Sequence, residues 1–321
     1  MDRRTFVIGA AATAAWTSAA VAADPIFTRP IKVVVPAGPG GFTDIIARYI
    51  GQELTPRVGH SVVVENRGGA GGVIGAVAVA QSPADGYTLA MGNNNTHAMN
   101  VGLYKKLPYD PVKDFAPIAF VGSAPTVLVV HPSSPYRSVA DLIADAKAKP
   151  GRLTYGSGGT GASSHMAAEL LRQRAGIDII HVPFKGNAPA TQALLGSQVD
   201  FMFDTLPSVQ PLAAAGRLRP LAGTALSRIE GLDVPAMSES LPGFEVTAWV
   251  ALFAPAGTPQ PMIDALDRDL TALLSQPAVA TRLKALGATP QIRRPAELAQ
   301  FVSAEIQKWN EVIGKAGIEP Q

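Results

Sequence analysis

The chain has 321 residues, of which 47% are hydrophobic, and it carries 27 lysines and arginines against 25 aspartates and glutamates. Chains of this length usually form two domains or one large α/β domain. The balanced charge, without clustered basic residues, argues against nucleic-acid binding, and the lack of cysteine excludes disulfides, zinc–thiolate sites and thiol nucleophiles.

The amino terminus has the pattern of an export signal. Arg3 and Arg4 precede a modestly apolar stretch that ends in small residues, as a signal-peptidase site requires. The arginine pair suggests twin-arginine export, and an ordinary Sec signal with two basic residues stays open. Either signal predicts that residues 1–23 are a leader cleaved near Ala22 or Ala23. No later apolar run is long enough to cross a membrane, so we expect a soluble periplasmic protein.

The first predicted strand, 31–35, leads through a proline- and glycine-rich loop into a helix that Thr43 or Asp44 can cap. The start of a helix offers unpaired N–H groups and the positive end of the helix dipole, and both favour an anion. Residues 37–44 are therefore predicted to form half of a pocket for a small carboxylate. Taken alone, the loop is also explained by a tight turn that needs glycine for its backbone angles.

Two further strands are predicted at 61–65 and 87–91. The first leads into the glycine-rich segment 66–72, whose spacing does not match a dinucleotide-binding fingerprint. The second ends in the polar segment 92–97. Polar residues at the carboxyl end of a strand often line a site in open α/β sheets, although a solvated loop has the same composition.

A second small-residue loop, 157–165, repeats the pattern of the first. It follows a short strand and precedes a helix through Met166 and Leu170. It lacks the lysine of a phosphate-binding P-loop, and Ser157 lacks the frame of a hydrolase nucleophile. Its hydroxyls and main-chain N–H groups instead indicate a second anion-binding loop.

The rest of the pattern alternates between strands and helices. Strands are predicted at 118–122, 127–131, 178–183, 199–203, 218–224 and 249–255. Helices are predicted after Ser138, Asn187 and Thr258, and the part of the chain after residue 255 is predicted to be helical. We interpret 127–131 and 218–224 as passages between two α/β lobes. The two glycine-rich loops then face each other across a cleft that can close on an anion.

Seven motifs in order carry a resemblance: V-V-V-P-A-G-P-G-G-F-T-D, V-V-V-E-N-R-G-G-A-G-G-V-I-G, D-G-Y-T-L, Y-D-P-V-K-D-F-A-P-I, G-S-G-G-T-G-A-S-S-H, H-V-P-F-K-G and W-V-A-L-F-A-P-A-G-T-P. Together they resemble the Bug family, the extracytoplasmic solute receptors of tripartite tricarboxylate transporters, over about 30–318. The resemblance implies a type II periplasmic-binding-protein fold that binds a small organic acid and hands it to a membrane permease. We expect lobe 1 to comprise 24–125 and 222–321, and lobe 2 to comprise 126–221.

Family members hold one ligand carboxylate between the two loops, largely through main-chain groups and bridging water. Carried over to this chain, the resemblance implies ligand contacts from Ala37, Gly40, Gly41, Thr43, Asp44, Asn95, Thr96, Ser157, Gly158, Thr160, Gly161, Ala162, Ser163, His165, Lys185 and Asp204. Where the family commonly has Phe-Pro, this chain has Ala37-Gly38, which predicts a smaller and more flexible first loop and a roomier pocket. We expect no catalytic residue, no metal and no cofactor. We expect the protein to be a monomer.

Two other functions remain open from the sequence. The same protein could present its ligand to a sensor kinase, because a permease and a kinase would both read the outer surface of the closed form. An exported hydrolase would need a serine–histidine pair, and Ser163, Ser164 and His165 are adjacent along the chain. Neighbouring residues on a helix point in different directions, which argues against that pair.

Overall fold

The computed structural model describes residues 26–184 and 186–320. The predicted leader, 1–23, and the predicted ligand contact Lys185 therefore lie outside the described residues. The strands are β1 (Ile31–Val35), β2 (Val62–Asn66), β3 (Thr88–Asn93), β4 (Phe115–Val130), β5 (Thr154–Ser157), β6 (Ile180–Pro183), β7 (Phe201–Thr205), β8 (Arg219–Gly223), β9 (Thr247–Pro255) and β10 (Thr289–Arg293).

Helices connect most of these strands. They are α1 (Phe42–Val58), α2 (Val73–Ala80), α3 (Asn100–Leu103), α4 (Val139–Ala148), α5 (Ser163–Ala175), α6 (Asn187–Leu195), α7 (Leu206–Ala214), α8 (Met237–Ser240), α9 (Gln260–Leu274), α10 (Pro277–Ala285) and α11 (Pro295–Ala316). A short 3₁₀ turn spans Ala70–Gly72, and a single π-helical turn spans Asn95–Met99. Within the described residues, no helix is both long and apolar enough to cross a bilayer.

The long strand β4 belongs to both halves of the sheet. Its first part pairs antiparallel with β9 and β10, and β9 continues through β3 and β1 to β2. Its last part pairs antiparallel with β7 and β8, and β7 continues through β5 to β6. The sequence-based expectation of two separate strands at 118–122 and 127–131 was wrong. Gly122, Ser123 and Pro125 interrupt the apolar run, but all three pair with β9, so the strand continues through them; the bulges lie earlier, between Pro117 and Gly122.

Strand β8 spans most of 218–224, the segment that we interpreted as the return passage. It pairs antiparallel with the last part of β4, and the chain then continues through α8 to β9 in the first half of the sheet. The end of the chain is not wholly helical as expected, because β10 pairs with β4 at the sheet edge. Its sequence, T-P-Q-I-R, is polar and contains a proline, so it lacks the apolar pattern of a central strand.

Helix starts follow the predicted chemistry in one place and depart from it in three. Ser138 and Asp141 form a complete capping box on α4, with the Asp141 N–H donating to Ser138 Oγ at 3.1 Å. The expected side-chain caps on α1, α6 and α9 are absent, since these helices begin after Gly41, Gly186 and Pro259. In α1 and α6, the side chains of Asp44 and Asn187 are instead used within the cleft.

The core covers both faces of the sheet. Trp249, Trp309 and Tyr155 are its largest fully buried side chains. Helices α1 and α9 pack over β1 and β4 on one face, while α11 packs on β4 and reaches α5 in the second half. This packing fixes the amino termini of α1 and α5, on which the two glycine-rich loops are built.

Candidate functional site

The two glycine-rich loops meet at a pair of adjoining cavities between the halves of the sheet. The first cavity, of about 550 Å³, is lined by residues 37–43 of the first loop and by parts of α6 and β7. The second, of about 630 Å³, is lined by 68–72 and by most of the second loop. Both share the lining residues Ala37, Gly38, Asn93, Asn95, Ser163 and Gly186. The loops therefore lie on one shared crevice, as predicted.

Asp44 orders the first loop from within. Its Oδ2 accepts the Gly40 N–H at 2.9 Å and its Oδ1 accepts Asn66 Nδ2 at 2.9 Å, while Arg48 pairs with it at 3.0 Å. Burial would raise the pKa of Asp44, but the hydrogen bonds from Arg48, Gly40 and Asn66 outweigh it and hold this pKa below its ordinary value. The carboxylate thus serves the loop, and the N–H groups of the first turn of α1 are left for a ligand.

Three main-chain N–H groups of the second loop are bound by side chains of the same segment. Gly158 donates to Ser164 Oγ at 3.0 Å, Gly159 to Ser157 Oγ at 3.1 Å, and Gly161 to His165 Nδ1 at 3.1 Å. These bonds make the loop rigid and leave the first turn of α5 as its anion-binding end.

His165 must be neutral to accept that bond. It stacks on His181 with ring centroids 4.1 Å apart. Burial lowers the pKa of His165 to about 4, assisted by the nearby positive charge of Arg172, and burial next to His165 likewise lowers the pKa of His181 to about 4. Both rings are therefore uncharged near neutral pH.

The polar segment after β3 forms a third wall. Asn93 Oδ1 accepts the N–H groups of Asn95 and Thr96, each at 3.1 Å, and shapes the π-helical turn. Asn95 Nδ2 then donates to the Gly161 carbonyl at 2.8 Å, which joins the two halves across the cleft. Thr96 is fully buried and bonds to His97 Nδ1 at 2.9 Å, so it supports this wall from behind.

Asp204 is a buried residue that lines the first cavity. It accepts hydrogen bonds from Asn187 Nδ2 at 2.6 Å, the Thr205 N–H at 2.7 Å and Thr191 Oγ1 at 3.2 Å. Burial raises its pKa above the ordinary value, and these bonds oppose the rise. Asn187 also accepts from Ser164 Oγ at 2.9 Å, so Asp204 is connected to the second loop.

The predicted contacts fall into two groups. The residues that line the cavities are Ala37, Gly40, Gly41, Thr43, Asn95, Gly158, Thr160, Ala162, Ser163 and Asp204. The residues that lie behind these walls are Asp44, Thr96, Ser157, Gly161 and His165. Sequence reasoning missed the apolar lining outside the two loops, which includes Pro189, Leu212, Ala248 and Trp249. These residues come from three separate elements, α6, α7 and β9, and the sequence did not indicate any of them as a site residue.

A hydrolytic arrangement is not formed by the predicted residues. Ser164 and His165 are bonded to different loop groups, as described above. Ser157 Oγ does lie 2.5 Å from His181 Nε2, but Ser157 is fully buried and lines neither cavity. Among the described residues, no cluster of three or more histidine, cysteine, aspartate or glutamate side chains is suited to hold a metal ion.

Comparison with known proteins agrees with this geometry. Residues 46–318 match the family model described as tripartite tricarboxylate transporter family receptor. The chain is 38% identical to the protein BugT of Bordetella pertussis over 320 residues, which cover 99% of this chain and 98% of BugT.

Two solved structures are close in fold. Rpa4515 of R. palustris with adipate is 38% identical, with a TM-score of 0.88 over 92% of this chain and 99% of that one. The periplasmic binding protein BugD is 36% identical, with a TM-score of 0.84 over 91% of this chain and 99% of that one.

Proposed function

Because the chain belongs to the Bug family of tripartite tricarboxylate transporter receptors, we propose that it captures a small organic acid and delivers it to a membrane permease. The fold is the type II periplasmic-binding-protein fold, with two α/β lobes joined by crossover strands and the ligand cleft between them. Receptors of this family are periplasmic carboxylate-binding proteins. We place the lobe boundaries at 24–125 with 222–321 for lobe 1 and at 126–221 for lobe 2.

One observation carries the proposal. The amino termini of α1 and α5 belong to different lobes, yet Thr43 and Ser163 at these termini line the same cavity. Unpaired N–H groups and the two helix dipoles there favour one negatively charged group. A carboxylate held by both termini stabilises the closed arrangement, because it interacts with both lobes only when they are close.

The part of the first cavity around Asp204 differs in chemistry from the two glycine-rich loops. Asp204 lies there beside apolar side chains such as Phe42 and Leu212. A second carboxylate next to Asp204 would be repelled, whereas a hydroxyl or ammonium group could donate to it. We therefore propose that the ligand carboxylate lies at the loops and that the ligand body extends toward Asp204.

The direct test is a thermal-shift and calorimetry panel of the hydroxy monocarboxylates lactate and 3-hydroxybutyrate together with adipate, succinate, malate and citrate. A bound acid at about 100 times its Kd should stabilise the protein by roughly 2.7 kcal/mol. Ala188 is exposed and lines the first cavity, so Ala188→Trp should block binding. Ala278 is exposed on α10 outside the cleft, and Ala278→Trp is the matched control. Binding that survives Ala188→Trp would refute this location of the site.

The delivery step needs a separate test. We propose a monomeric, non-enzymatic receptor, exported after cleavage near Ala22 or Ala23, that docks on a permease. Cells that lack the receptor should lose uptake of the radiolabelled acid and regain it with the wild-type chain but not with Ala188→Trp. Normal uptake combined with a lost transcriptional response to the acid would favour the sensory role over transport.

A further inference from the structure

A third cavity, of about 420 Å³, lies where the lobes join, and we call it the hinge cavity. Its walls come from β4 at Ser123 and Pro125, from the segment 225–230 after β8, and from the start of β9. The chain passes between the lobes along β4, and it returns through the segment after β8 to β9. Trp249 of β9 lines both the hinge cavity and the first cavity of the cleft, so the two sites adjoin at this strand.

Arg293 of β10 lines the hinge cavity and has unused hydrogen-bonding capacity. Its guanidinium lies over two adjoining aromatic rings, with Cζ 4.5 Å from the Phe120 centroid and 4.2 Å from the Phe301 centroid. Its Nη1 is buried without a hydrogen-bond partner among the described residues. The rings fix the orientation of the guanidinium, and its rigid fork of donors matches a carboxylate. A half-buried cation of this kind is stabilised when an anion supplies the missing acceptor.

The other basic groups of this cavity are already paired. Arg228 forms two hydrogen bonds with Glu239, at 2.9 and 2.8 Å, and Lys308 pairs with Glu305 at 3.0 Å. Glu305 Oε2 also accepts from the indole N–H groups of Trp249 and Trp309, at 3.0 and 3.1 Å. The carboxylate of Glu305 is therefore satisfied without Arg293.

Two further acidic residues restrict what can enter. Glu230 and Glu245 line the cavity, and both would repel a ligand that carries several negative charges. The aromatic walls favour a flat apolar body, and the volume falls in the range of small-molecule sites. A single carboxylate with an aromatic body fits these conditions, whereas a tricarboxylate does not.

We propose that the hinge cavity is a second binding site, for a small aromatic monocarboxylate whose carboxylate pairs with Arg293. It is separate from the cleft site and takes a different class of acid. Because both passages between the lobes line it, its shape depends on the angle between the lobes.

Benzoate is the probe. After removal of the leader, the chain contains two tryptophans, Trp249 and Trp309, and both are bonded to Glu305 in the hinge cavity wall. Titration with benzoate should give a saturable change in tryptophan fluorescence with a Kd of about 1 mM or tighter. Arg293→Gln should weaken benzoate binding about tenfold or more, and Arg293→Lys should weaken it less. The control Arg268→Gln removes an exposed arginine elsewhere and should leave binding unchanged.

Two results in these titrations would overturn the proposal, and a third comes from the cleft-filled variant below. One is the absence of saturation by benzoate up to about 10 mM in the wild-type protein, and the other is equal affinity in Arg293→Gln and wild type. If Arg293→Gln does not fold, Arg293→Lys decides by the same comparison. The titration is repeated in Ala188→Trp, in which the cleft is filled. Retained benzoate binding supports the hinge cavity, and lost binding assigns benzoate to the cleft and refutes the second site.

Discussion

Removing one hydroxyl group at the junction of the lobes should destabilise the whole protein. Thr126 and Thr224 are buried, at 1% and 0% exposure, and their hydroxyl oxygens lie 2.8 Å apart. Thr224 Oγ1 also accepts the Thr126 N–H at 3.0 Å and contacts the Val246 carbonyl as a donor. Thr224→Val keeps the side-chain shape but leaves the Thr126 N–H and hydroxyl without this partner. A buried polar group left unsatisfied costs about 1–3 kcal/mol, so we expect a loss of about 2–4 kcal/mol in unfolding free energy.

Urea denaturation followed by circular dichroism measures this loss. Thr281→Val is the matched control, because Thr281 is exposed on α10, and its effect should stay within about 0.5 kcal/mol. The double variant Thr126→Val/Thr224→Val should lose less than the sum of the single variants, by about 0.5–3 kcal/mol, since the two hydroxyls are partners. A Thr224→Val effect no larger than that of the control would show that these bonds do not hold the lobe junction together.

Three further predictions concern the cleft. Unfolding free energy should fall as pH drops from about 6.5 to about 4. In this range the unfolded chain binds protons at His165 and His181, whereas the folded protein keeps both neutral because their pKa values are lowered to about 4. Urea denaturation at several pH values should show the fall, and His181→Asn should reduce its slope. Gly161 has φ +79°, and a Cβ there would lie 2.5 Å from Leu103 Cδ1, whereas a Cβ on Gly41 would meet nothing closer than 4.0 Å. Calorimetry should therefore show acid binding that is weaker by about tenfold or more for Gly161→Ala, and little change for Gly41→Ala. Asn95→Ala removes the hydrogen bond to the Gly161 carbonyl, which is worth about 1 kcal/mol. It should raise the Kd of the bound acid about fivefold and increase the radius of gyration measured by small-angle scattering. An unchanged Kd would mean that this bond does not contribute to closure.

The sequence predicted the parts of this protein that depend on local chemistry. Strand β1, the loop after it and the start of α1 follow from an apolar run, a proline–glycine segment and a helical stripe, and the second loop repeats the pattern. Family resemblance then supplied the fold, which the comparison with BugD and Rpa4515 confirms. The motif residues were predicted as a set, and the cavities show that several of them support the walls from behind.

The rest could not be predicted because it depends on long-range pairing. Whether 118–122 and 127–131 form one strand is decided by β9, β7 and β8, which are far along the chain. The role of Asn187 is equally non-local. Its position after Gly186 is typical of a helix cap, but its side chain is drawn to the buried carboxylate of Asp204. A competing partner elsewhere in the fold thus overrides the local preference.

The pairing of β4 with β8 has a consequence for engineering. Val130 and Arg219 are partners in adjacent strands, so the two ends of the intervening segment, 131–218, which holds β5, β6 and β7, lie side by side. A segment with adjoining ends can be exchanged for its counterpart from a homologue while the remaining framework keeps its geometry. Chimaeras built at this junction would combine the first glycine-rich loop of one receptor with the second loop of another, and would reveal which loop selects the acid.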